Sequence, residues 1–337
     1  MRKVRVAVIG SGFVARNFHL PALERMPEAE VAAVVDARPE RARGAAERFG
    51  IKRWFTDHAD ALELEDVDVA LVCTPTYTHR EIVLCACAHG KHVLCEKPVA
   101  LRLRDVDEMT DEARRAGVKF MVGHCLRFWP EYVRVRQLID DGEIGEPVMA
   151  RAYRQSSWPV WGLEGWYEDI RKSGGVAVDL SIHDVDFLRW VFGDVERVYA
   201  QGGCLIRRDV TAHDYVQALL RFGGGEIAYV EGSWAMPEGY PFSTYLEVAG
   251  TQGLITVDNQ TTAALRIYAK GRREALTPVS EDAYFLELRH FIDCVVNDRE
   301  PAVPGGEARK SLEISLAVLK SVKEGRPVSL PLKEEVL

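Results

Sequence analysis

Short apolar runs alternate with amphipathic stretches over the first third of the chain. The runs have the length and the Val, Ile, Leu and Ala content of strands buried on both faces, and they lie at 4–10, 31–36, 67–75, 92–98 and 118–124. Helical periodicity separates them, over 14–26, 39–49, 79–90 and 103–116. Strands and helices in alternation predict a parallel sheet with crossover helices. We therefore expect an α/β fold that begins with a Rossmann domain, a doubly wound parallel sheet.

The remaining two thirds follow a different pattern, in which β-rich runs dominate. A helix at about 131–141 and a strand at 147–155 precede a Trp- and Gly-rich loop and a helix at about 175–192. The later strands are expected at 195–202, 214–222, 225–234, 244–250, 253–258 and 264–269, and closing helices at about 281–297 and 305–323. GGG at 223–225 and TQG at 251–253 predict hairpin turns. This pattern predicts a C-terminal α+β domain with a large, mostly antiparallel open sheet.

Length and composition support two domains and a globular protein. The chain has 337 residues, with 47% hydrophobic and 28% charged side chains. We place the boundary near 123–127, giving a dinucleotide-binding domain over 1–124 and a substrate-binding and oligomerisation domain over 125–337. The net charge of −8 argues against a general nucleic-acid binder. No apolar run is long enough to span a bilayer, so we expect no membrane partner.

The seven cysteines, at 73, 85, 87, 95, 125, 204 and 294, are odd in number and include no CxxC pair. Disulfide and metal roles are therefore not expected, and small buried thiols in a reducing cytoplasm are the favoured interpretation. We expect no metal site.

A glycine loop follows the first strand and opens the first helix. Residues 10–15 are GSGFVA, a GxGxxA pattern at the position where a dinucleotide pyrophosphate lies on a helix N-terminus. Gly10 allows a tight turn, Gly12 lets the backbone approach phosphate, and Ala15 lets the helix pack closely on the sheet. A GxGxxG-type pattern alone is weak evidence, but the strand and helix around this one supply the required context.

Asp36 ends the second strand, 21 residues after Ala15. There its carboxylate can accept hydrogen bonds from ribose hydroxyls and repel a 2′-phosphate, which favours NAD over NADP. Arg38 can instead pair with such a phosphate, so NADP stays open. The alternative is that Asp36 is a turn residue and Arg38 a surface charge.

Glu96, Lys97 and Pro98 interrupt a run that is otherwise typical of a buried strand. Pro98 offers no backbone donor and restricts the residue before it, so the ladder stops there. Taken alone, the Glu-Lys-Pro sequence fits a surface turn.

Residues 173–194 predict a helix preceded by two glycines. Asp179 and His183 are four positions apart, which places them on one helical face within reach of a common ligand. A carboxylate beside an imidazole can orient it and support its charged form, as a general base requires. A surface pair is the alternative. Asp184 and Asp186 lie in the same run, and we expect one of them to be a structural partner.

Five motifs in a fixed order resemble the Gfo/Idh/MocA family of oxidoreductases. They are GSGFVA (10–15), VCTPTYTH (72–79), GKHVLCEKP (90–98), GHCLRFWP (123–130) and GGVAVDLSIHDVDFLRW (174–190). With EPAVPGGEARKSLEISLAV near the end, the resemblance covers essentially the whole chain. It implies that Glu-Lys-Pro ends a Rossmann strand beside the nicotinamide, often through a cis peptide before Pro98.

The resemblance also implies roles for individual residues. Lys97, Asp179 and His183 are the implied catalytic residues and also substrate ligands, joined in the substrate pocket by Arg127 and Trp166. The expected cofactor site, including the residues argued above, comprises Gly10, Gly12, Phe13, Val14, Asp36, Arg38, Thr74, Pro75, His79, Glu96 and Lys97. Val176 and Ser181 stand where many relatives have glycine, which cautions against copying a relative's substrate.

The implied activity is an NAD(P)-dependent dehydrogenase that acts on a secondary alcohol of a sugar or inositol-like cyclic polyol, in a homodimer or homotetramer. His183 would take the hydroxyl proton, Asp179 would hold the imidazole or bind a neighbouring hydroxyl, and Lys97 would stabilise the developing alkoxide. Alternatives are an NADP-dependent reductase and a sugar–sugar oxidoreductase that retains its cofactor. A non-catalytic dinucleotide sensor is disfavoured because Lys97, Asp179 and His183 are all present.

Overall fold

The computed structural model describes residues 2–278 and 280–337. The chain divides into two units: unit 1 contains residues 1–125 and 281–309, and unit 2 contains residues 126–280 and 310–337. The first crossing lies within the expected boundary region, whereas 281–309 had been assigned to the C-terminal domain and instead belongs to unit 1.

The strands and helices are numbered here in chain order. The strands are β1 Val4–Ile9, β2 Ala29–Val35, β3 Trp54–Phe55, β4 Val69–Val72, β5 His92–Glu96, β6 Phe120–Gly123, β7 Pro147–Ser157, β8 Val195–Gly203, β9 Tyr215–Phe222, β10 Ile227–Met236, β11 Ser243–Gly250, β12 Gly253–Asp258, β13 Leu265–Ala269, β14 Arg272–Leu276 and β15 Val328–Ser329. The α-helices are α1 Leu20–Glu24, α2 Pro39–Arg48, α3 His58–Leu62, α4 His79–Ala88, α5 Leu103–Ala116, α6 Pro130–Asp140, α7 Ile170–Ser173, α8 Gly175–Asp179, α9 Ile182–Phe192, α10 Ala283–Val296 and α11 Gly305–Glu324.

Unit 1 is built on a six-stranded sheet in the order β3-β2-β1-β4-β5-β6. All of its strand pairs are parallel. The central strand β4, whose four residues are all apolar, is buried along its whole length. This is the strand order of a Rossmann fold, and it confirms the predicted doubly wound parallel sheet.

Specific contacts explain why residues 281–309 belong to unit 1. Helix α10 packs against α1 and the π-helical turn before it. The Val122 amide donates to the Val303 carbonyl over 3.0 Å, and Lys119 pairs with Asp298 at 2.9 Å. The pattern of 281–297 predicted a closing helix but not the elements against which it packs.

Unit 2 contains a nine-stranded sheet in the order β14-β13-β12-β11-β7-β10-β9-β8-β15. Every pair is antiparallel except β7 with β10. The predicted hairpins are confirmed, since β9 pairs with β10 across 223–226 and β11 pairs with β12 across 251–252. The sequence pattern therefore predicted the sheet correctly, while β14 and the two-residue β15 were not anticipated.

The helix expected at 175–192 is two helices, α8 and α9, separated at Leu180 and Ser181. The amides of both residues donate to one carbonyl, that of Val176, over 3.1 and 2.9 Å. The second of these bonds spans five residues instead of four, so the turn is wider than an α-helical turn and holds an extra residue.

None of the helices in the described residues is both long and apolar enough to cross a membrane.

Candidate active site

The glycine loop of unit 1 requires glycine at its first position. Gly10 has a φ of 93°, and a Cβ there would lie 2.7 Å from the Cys73 carbonyl carbon and oxygen. At Gly12 a Cβ would meet only the Cys73 carbonyl oxygen, at 4.0 Å. The loop therefore packs tightly against the end of β4 while leaving space over Gly12, which fits a cradle for a pyrophosphate. Phe13 is exposed and Val14 enters the helical turn.

Asp36 links this loop to the end of β2. Its Oδ2 accepts hydrogen bonds from the Ser11 amide at 3.1 Å and the Ser11 hydroxyl at 2.7 Å. Its Oδ1 accepts one from the Arg38 amide at 3.1 Å. The carboxylate thus orders both the glycine loop and the β2–α2 connection, where the adenosine ribose of a dinucleotide lies in this fold.

Arginines surround Asp36. The Nε of Arg41, in the first turn of α2, lies 3.8 Å from Asp36 Oδ2. Burial and then the neighbouring charge of Arg41 lower the pKa of Arg16. Arg48 contributes to the same lowering, and the Asp36 charge opposes it. This end of the unit therefore has an excess of positive charge.

His79 holds together the loops that follow β4 and β5. Its Nδ1 lies 3.0 Å from the Pro98 carbonyl oxygen and its Nε2 lies 2.9 Å from the Thr74 carbonyl oxygen. The ring is buried, and burial lowers its pKa, which favours the neutral form with one N–H to donate. The Thr78 hydroxyl donates to the Thr74 hydroxyl over 2.8 Å, further fixing the Thr74–Pro75 loop.

Glu96 anchors the start of the Glu-Lys-Pro sequence. The Lys97–Pro98 peptide is cis, as the resemblance implied. Glu96 Oε2 accepts the Lys97 amide at 3.1 Å, and Oε1 lies 2.6 Å from His19 Nε2. Burial opposes ionisation of Glu96, but the hydrogen bond from His19 and the charge of Lys97 outweigh it and lower its pKa. No sequence motif indicates that His19 belongs to this site.

A second buried acid, Glu287, lies near Glu96. It is 0% exposed, and neither of its carboxyl oxygens has a hydrogen-bond partner among residues 2–278 and 280–337. It lies one turn after Tyr284, whose ring packs edge-on against His19 with centroids 5.3 Å apart. Burial and then the Glu96 charge raise the pKa of Glu287 well above its usual range, which favours its protonated form. The only sequence signal is a glutamate on an apolar helix.

In unit 2, Asp179 is the last residue of α8 and His183 lies in the first turn of α9. Asp179 is 9% exposed and His183 is half-buried. The wide turn at Leu180 and Ser181 lies between them, and their expected placement on one helical face stays a prediction.

The other two carboxylates of this run are both structural partners, where we expected one. Asp184 receives the forked guanidinium of Arg154 at 3.0 and 3.1 Å. Asp186 receives that of Arg127 at 2.8 and 2.9 Å, and the Ser311 hydroxyl at 2.8 Å. Arg127 is therefore held in a buried ion pair. Its predicted contact with substrate remains a prediction.

Trp166 belongs to an aromatic cluster in the loop after β7. Its ring stacks on Tyr167 with centroids 4.0 Å apart, and Tyr167 packs edge-on against Trp234 at 5.6 Å. The Ser173 hydroxyl, which donates to the Tyr167 carbonyl, accepts the Gly175 amide at the start of α8. The cluster is thus tied to the helix that carries Asp179. A role for Trp166 in substrate binding remains a prediction.

All seven cysteines carry free thiols. Within the described residues no group of three or more His, Cys, Asp or Glu side chains could hold a metal ion.

Comparisons with known proteins identify both halves of the chain. Residues 4–124 match the oxidoreductase family with an NAD-binding Rossmann fold, and residues 132–256 match the GFO/IDH/MocA C-terminal domain. A myo-inositol 2-dehydrogenase of Thermotoga maritima is 33% identical over 99% of this chain and 100% of its own. A scyllo-inositol 2-dehydrogenase (NAD(+)) of Bacillus subtilis is 33% identical over 98% of this chain and 97% of its own.

A solved structure supports the same fold. The crystal structure of an oxidoreductase from Agrobacterium radiobacter, in complex with NAD+, L-tartaric acid and magnesium, superposes with a TM-score of 0.87. It is 25% identical and covers 97% of this chain and 98% of its own.

Glu287→Gln is expected to stabilise the protein at pH 8 and to have little effect at pH 5. The folded-state pKa of Glu287 is raised, so its contribution to the free energy of unfolding is fully present below its unfolded pKa. Between the unfolded and the folded pKa, the free energy of unfolding falls as pH rises, by at most about 1.4 kcal/mol per pH unit. Glutamine cannot ionise, so the variant escapes this loss. Melting temperatures at the two pH values measure the difference, with exposed Glu47→Gln as the control. Equal destabilisation at both pH values would contradict a raised pKa of Glu287.

Proposed function

The chain belongs to the Gfo/Idh/MocA family of oxidoreductases and is an NAD-dependent dehydrogenase acting on CH–OH groups, and we propose that its substrate is a sugar or cyclic polyol, with an inositol as the first candidate. The named activities of the two inositol dehydrogenases, similar over essentially the full length, support this choice. The observation that carries it is an Asp and a His on either side of the break in the helix pair α8–α9.

The residues of unit 1 fit a dinucleotide. The space over Gly12, the Asp36 carboxylate held by Ser11, and the Thr74–Pro75 loop fixed by His79 form the expected set. These residues would hold NAD, which would supply the acceptor for the hydride from the substrate carbon.

His183 takes the proton of the substrate hydroxyl, and Asp179 orients the imidazole or holds a neighbouring hydroxyl. Lys97 supplies the positive charge for the oxygen that becomes an alkoxide. The division of roles follows from chemistry: an imidazole exchanges protons near neutral pH, whereas an ammonium group serves best as a fixed charge.

The arginines around Asp36 favour use of NADP as well as NAD. Asp36 already accepts hydrogen bonds from Ser11 and Arg38, and Arg41 Nε lies 3.8 Å from its Oδ2. A 2′-phosphate would therefore meet several guanidinium groups and one carboxylate whose charge is largely compensated.

A second copy of the chain is proposed as the partner of the nine-stranded sheet. The sheet face opposite α8 and α9 carries Tyr153 stacked on Tyr245 at 5.2 Å, and Arg151 over the Tyr229 ring. Leu219 on the same face is 55% exposed. Aromatic, arginine and apolar side chains are enriched at interfaces. Because the face also carries Glu231 and Glu247, a two-fold contact with itself can place opposite charges against each other.

We also place the enzyme in the reducing cytoplasm. Seven free thiols support this, and burial raises the pKa of the Cys87 thiol to about 12, which keeps it unreactive.

His183→Ala is expected to lower kcat by about 10²–10⁴-fold, because general base catalysis contributes that much, while NAD binding persists. Reduction of NAD in the presence of myo-inositol, other polyols and sugars measures turnover, and calorimetry measures NAD binding. The exposed His89→Ala is the matched control. Near-normal turnover of His183→Ala would refute the assigned role, and lack of turnover by the unaltered enzyme with every polyol and sugar would refute the substrate class.

Arg41→Ala is expected to lower the ratio of NADP to NAD efficiency by about tenfold or more, because it removes a charged hydrogen bond to the 2′-phosphate. Steady-state kcat/KM with each dinucleotide gives the ratio. Arg43→Ala, an exposed change on the same helix, should leave it unchanged. An unaltered ratio in Arg41→Ala would exclude this arginine from cofactor choice.

Leu219→Glu is expected to shift the protein toward single chains, because it places a charge in the proposed contact. Light scattering after gel filtration measures the mass, with Val160→Glu, a change at an exposed residue outside the sheet, as the control. A single-chain mass for the unaltered protein would contradict the proposed interface.

A further inference from the structure

The break between α8 and α9 lies against one strand residue, Gly232 of β10. A Cβ built at Gly232 would overlap the Ser181 hydroxyl oxygen and would lie 3.3 Å from Val176 Cγ2 and 3.4 Å from Ser181 Cβ. Gly232 lies in the interior of the sheet, paired with Arg154 of β7 and Val216 of β9. A glycine inside a strand often marks a close approach of another segment, which is what these contacts show.

Ser181 joins the two helices through its backbone. Its amide donates to the Val176 carbonyl to close the wide turn after α8. Its carbonyl accepts the amides of Asp184 and Val185, which begin α9. Its side chain is 3% exposed, and its hydroxyl has no hydrogen-bond partner in the described part of the chain. Ser181 is therefore held at this point by contact with the strand and by its backbone, without a side-chain hydrogen bond.

The start of α8 is fixed as well. Gly175 has a φ of 65°, and a Cβ there would lie 2.9 Å from the His213 amide nitrogen. The Val176 amide donates to the His213 carbonyl over 2.9 Å. With α8 anchored at its first residues, movement of Ser181 away from the sheet would have to tilt α8 and change the direction of its last residue, Asp179.

Val176 and Ser181 are the helix residues whose side chains lie nearest to the position that a side chain at residue 232 would occupy. The strand thus provides the space that two larger helix residues need. Because protein interiors are closely packed, added volume at this contact must be met by movement.

We propose that Gly232 is a positioning residue for the reaction: its lack of a side chain sets how closely Ser181 approaches β10, and through it the placement of Asp179 relative to His183. The proposal rests on the proposed function for the roles of Asp179 and His183. A shift of about 1 Å in a catalytic group can lower turnover by about a hundredfold.

A pair of substitutions tests the contact directly. Gly232→Ala adds one methyl group that meets Ser181 Oγ, while Ser181→Ala removes only that oxygen and leaves the two Cβ atoms 3.4 Å apart. The effect of adding the methyl group at position 232 is therefore compared in the unaltered protein and in the Ser181→Ala background. Gly44→Ala is the control, because a Cβ at Gly44 has nothing within 4 Å.

Turnover is measured with NAD and myo-inositol, or with the polyol that the enzyme uses best. The methyl group at position 232 is expected to lower kcat about tenfold to a hundredfold when Ser181 is present. In the Ser181→Ala background it is expected to lower kcat about threefold or less. The KM for NAD should stay unchanged throughout. Loss of kcat to the same extent in both backgrounds, or no loss in either, would overturn the proposal.

A second readout needs no turnover. The Cε1–H NMR signal of His183, assigned by its absence from His183→Asn, should move in Gly232→Ala and return to the Ser181→Ala position in the double variant. If this pattern appears in a protein that oxidises no polyol, the proposed function fails and the contact stands. If the enzyme is active but Gly232→Ala changes neither kcat nor the signal, the positioning role fails. If Gly232→Ala does not fold, the double variant Gly232→Ala/Ser181→Ala is compared with Ser181→Ala alone. A His183 signal that differs between these two folded proteins would also overturn the positioning role.

Discussion

A carboxylate that is removed from water must keep a hydrogen-bonded partner or give up its charge, and this constraint organises the α8–α9 region. Asp184 and Asp186 are two positions apart on α9, so they point to different sides of the helix. Each is buried and receives a forked guanidinium, from Arg154 on β7 and from Arg127 after β6. These pairs fix the position and rotation of α9. They therefore also fix the backbone of His183, which lies in its first turn.

The same constraint has two outcomes in unit 1. Burial opposes ionisation of both Glu96 and Glu287, but His19 and the Lys97 amide satisfy the oxygens of Glu96 and lower its pKa. No described group satisfies Glu287, and burial together with the Glu96 charge raises its pKa. Two neighbouring acids therefore have pKa values shifted in opposite directions. Glu96 directly precedes Lys97, the residue assigned to stabilise an alkoxide, and accepts its backbone amide.

Structural features that depend on residues close together in the sequence could be predicted from local sequence patterns. The strands of unit 1 were recognisable because parallel strands buried on both faces are continuous apolar runs, and Gly10 because its left-handed backbone excludes other residues. Features that depend on distant partners were not predictable. Ser181, at the break, packs against Gly232, 51 positions later, and nothing near Arg127 in the sequence indicates its pairing with Asp186. The burial of Glu287 could not be predicted because a single acid does not interrupt an apolar helical pattern.

The most direct test of the central claim is to follow the hydrogen that leaves the substrate. The enzyme would be incubated with NAD and myo-inositol carrying deuterium on its ring carbons, or with a deuterated form of whichever polyol it prefers, and the reduced dinucleotide analysed by mass spectrometry. Direct oxidation of a secondary alcohol predicts one deuterium in the reduced dinucleotide and none in the solvent. Reduced dinucleotide without deuterium, or no reduced dinucleotide with any polyol or sugar, would contradict the account.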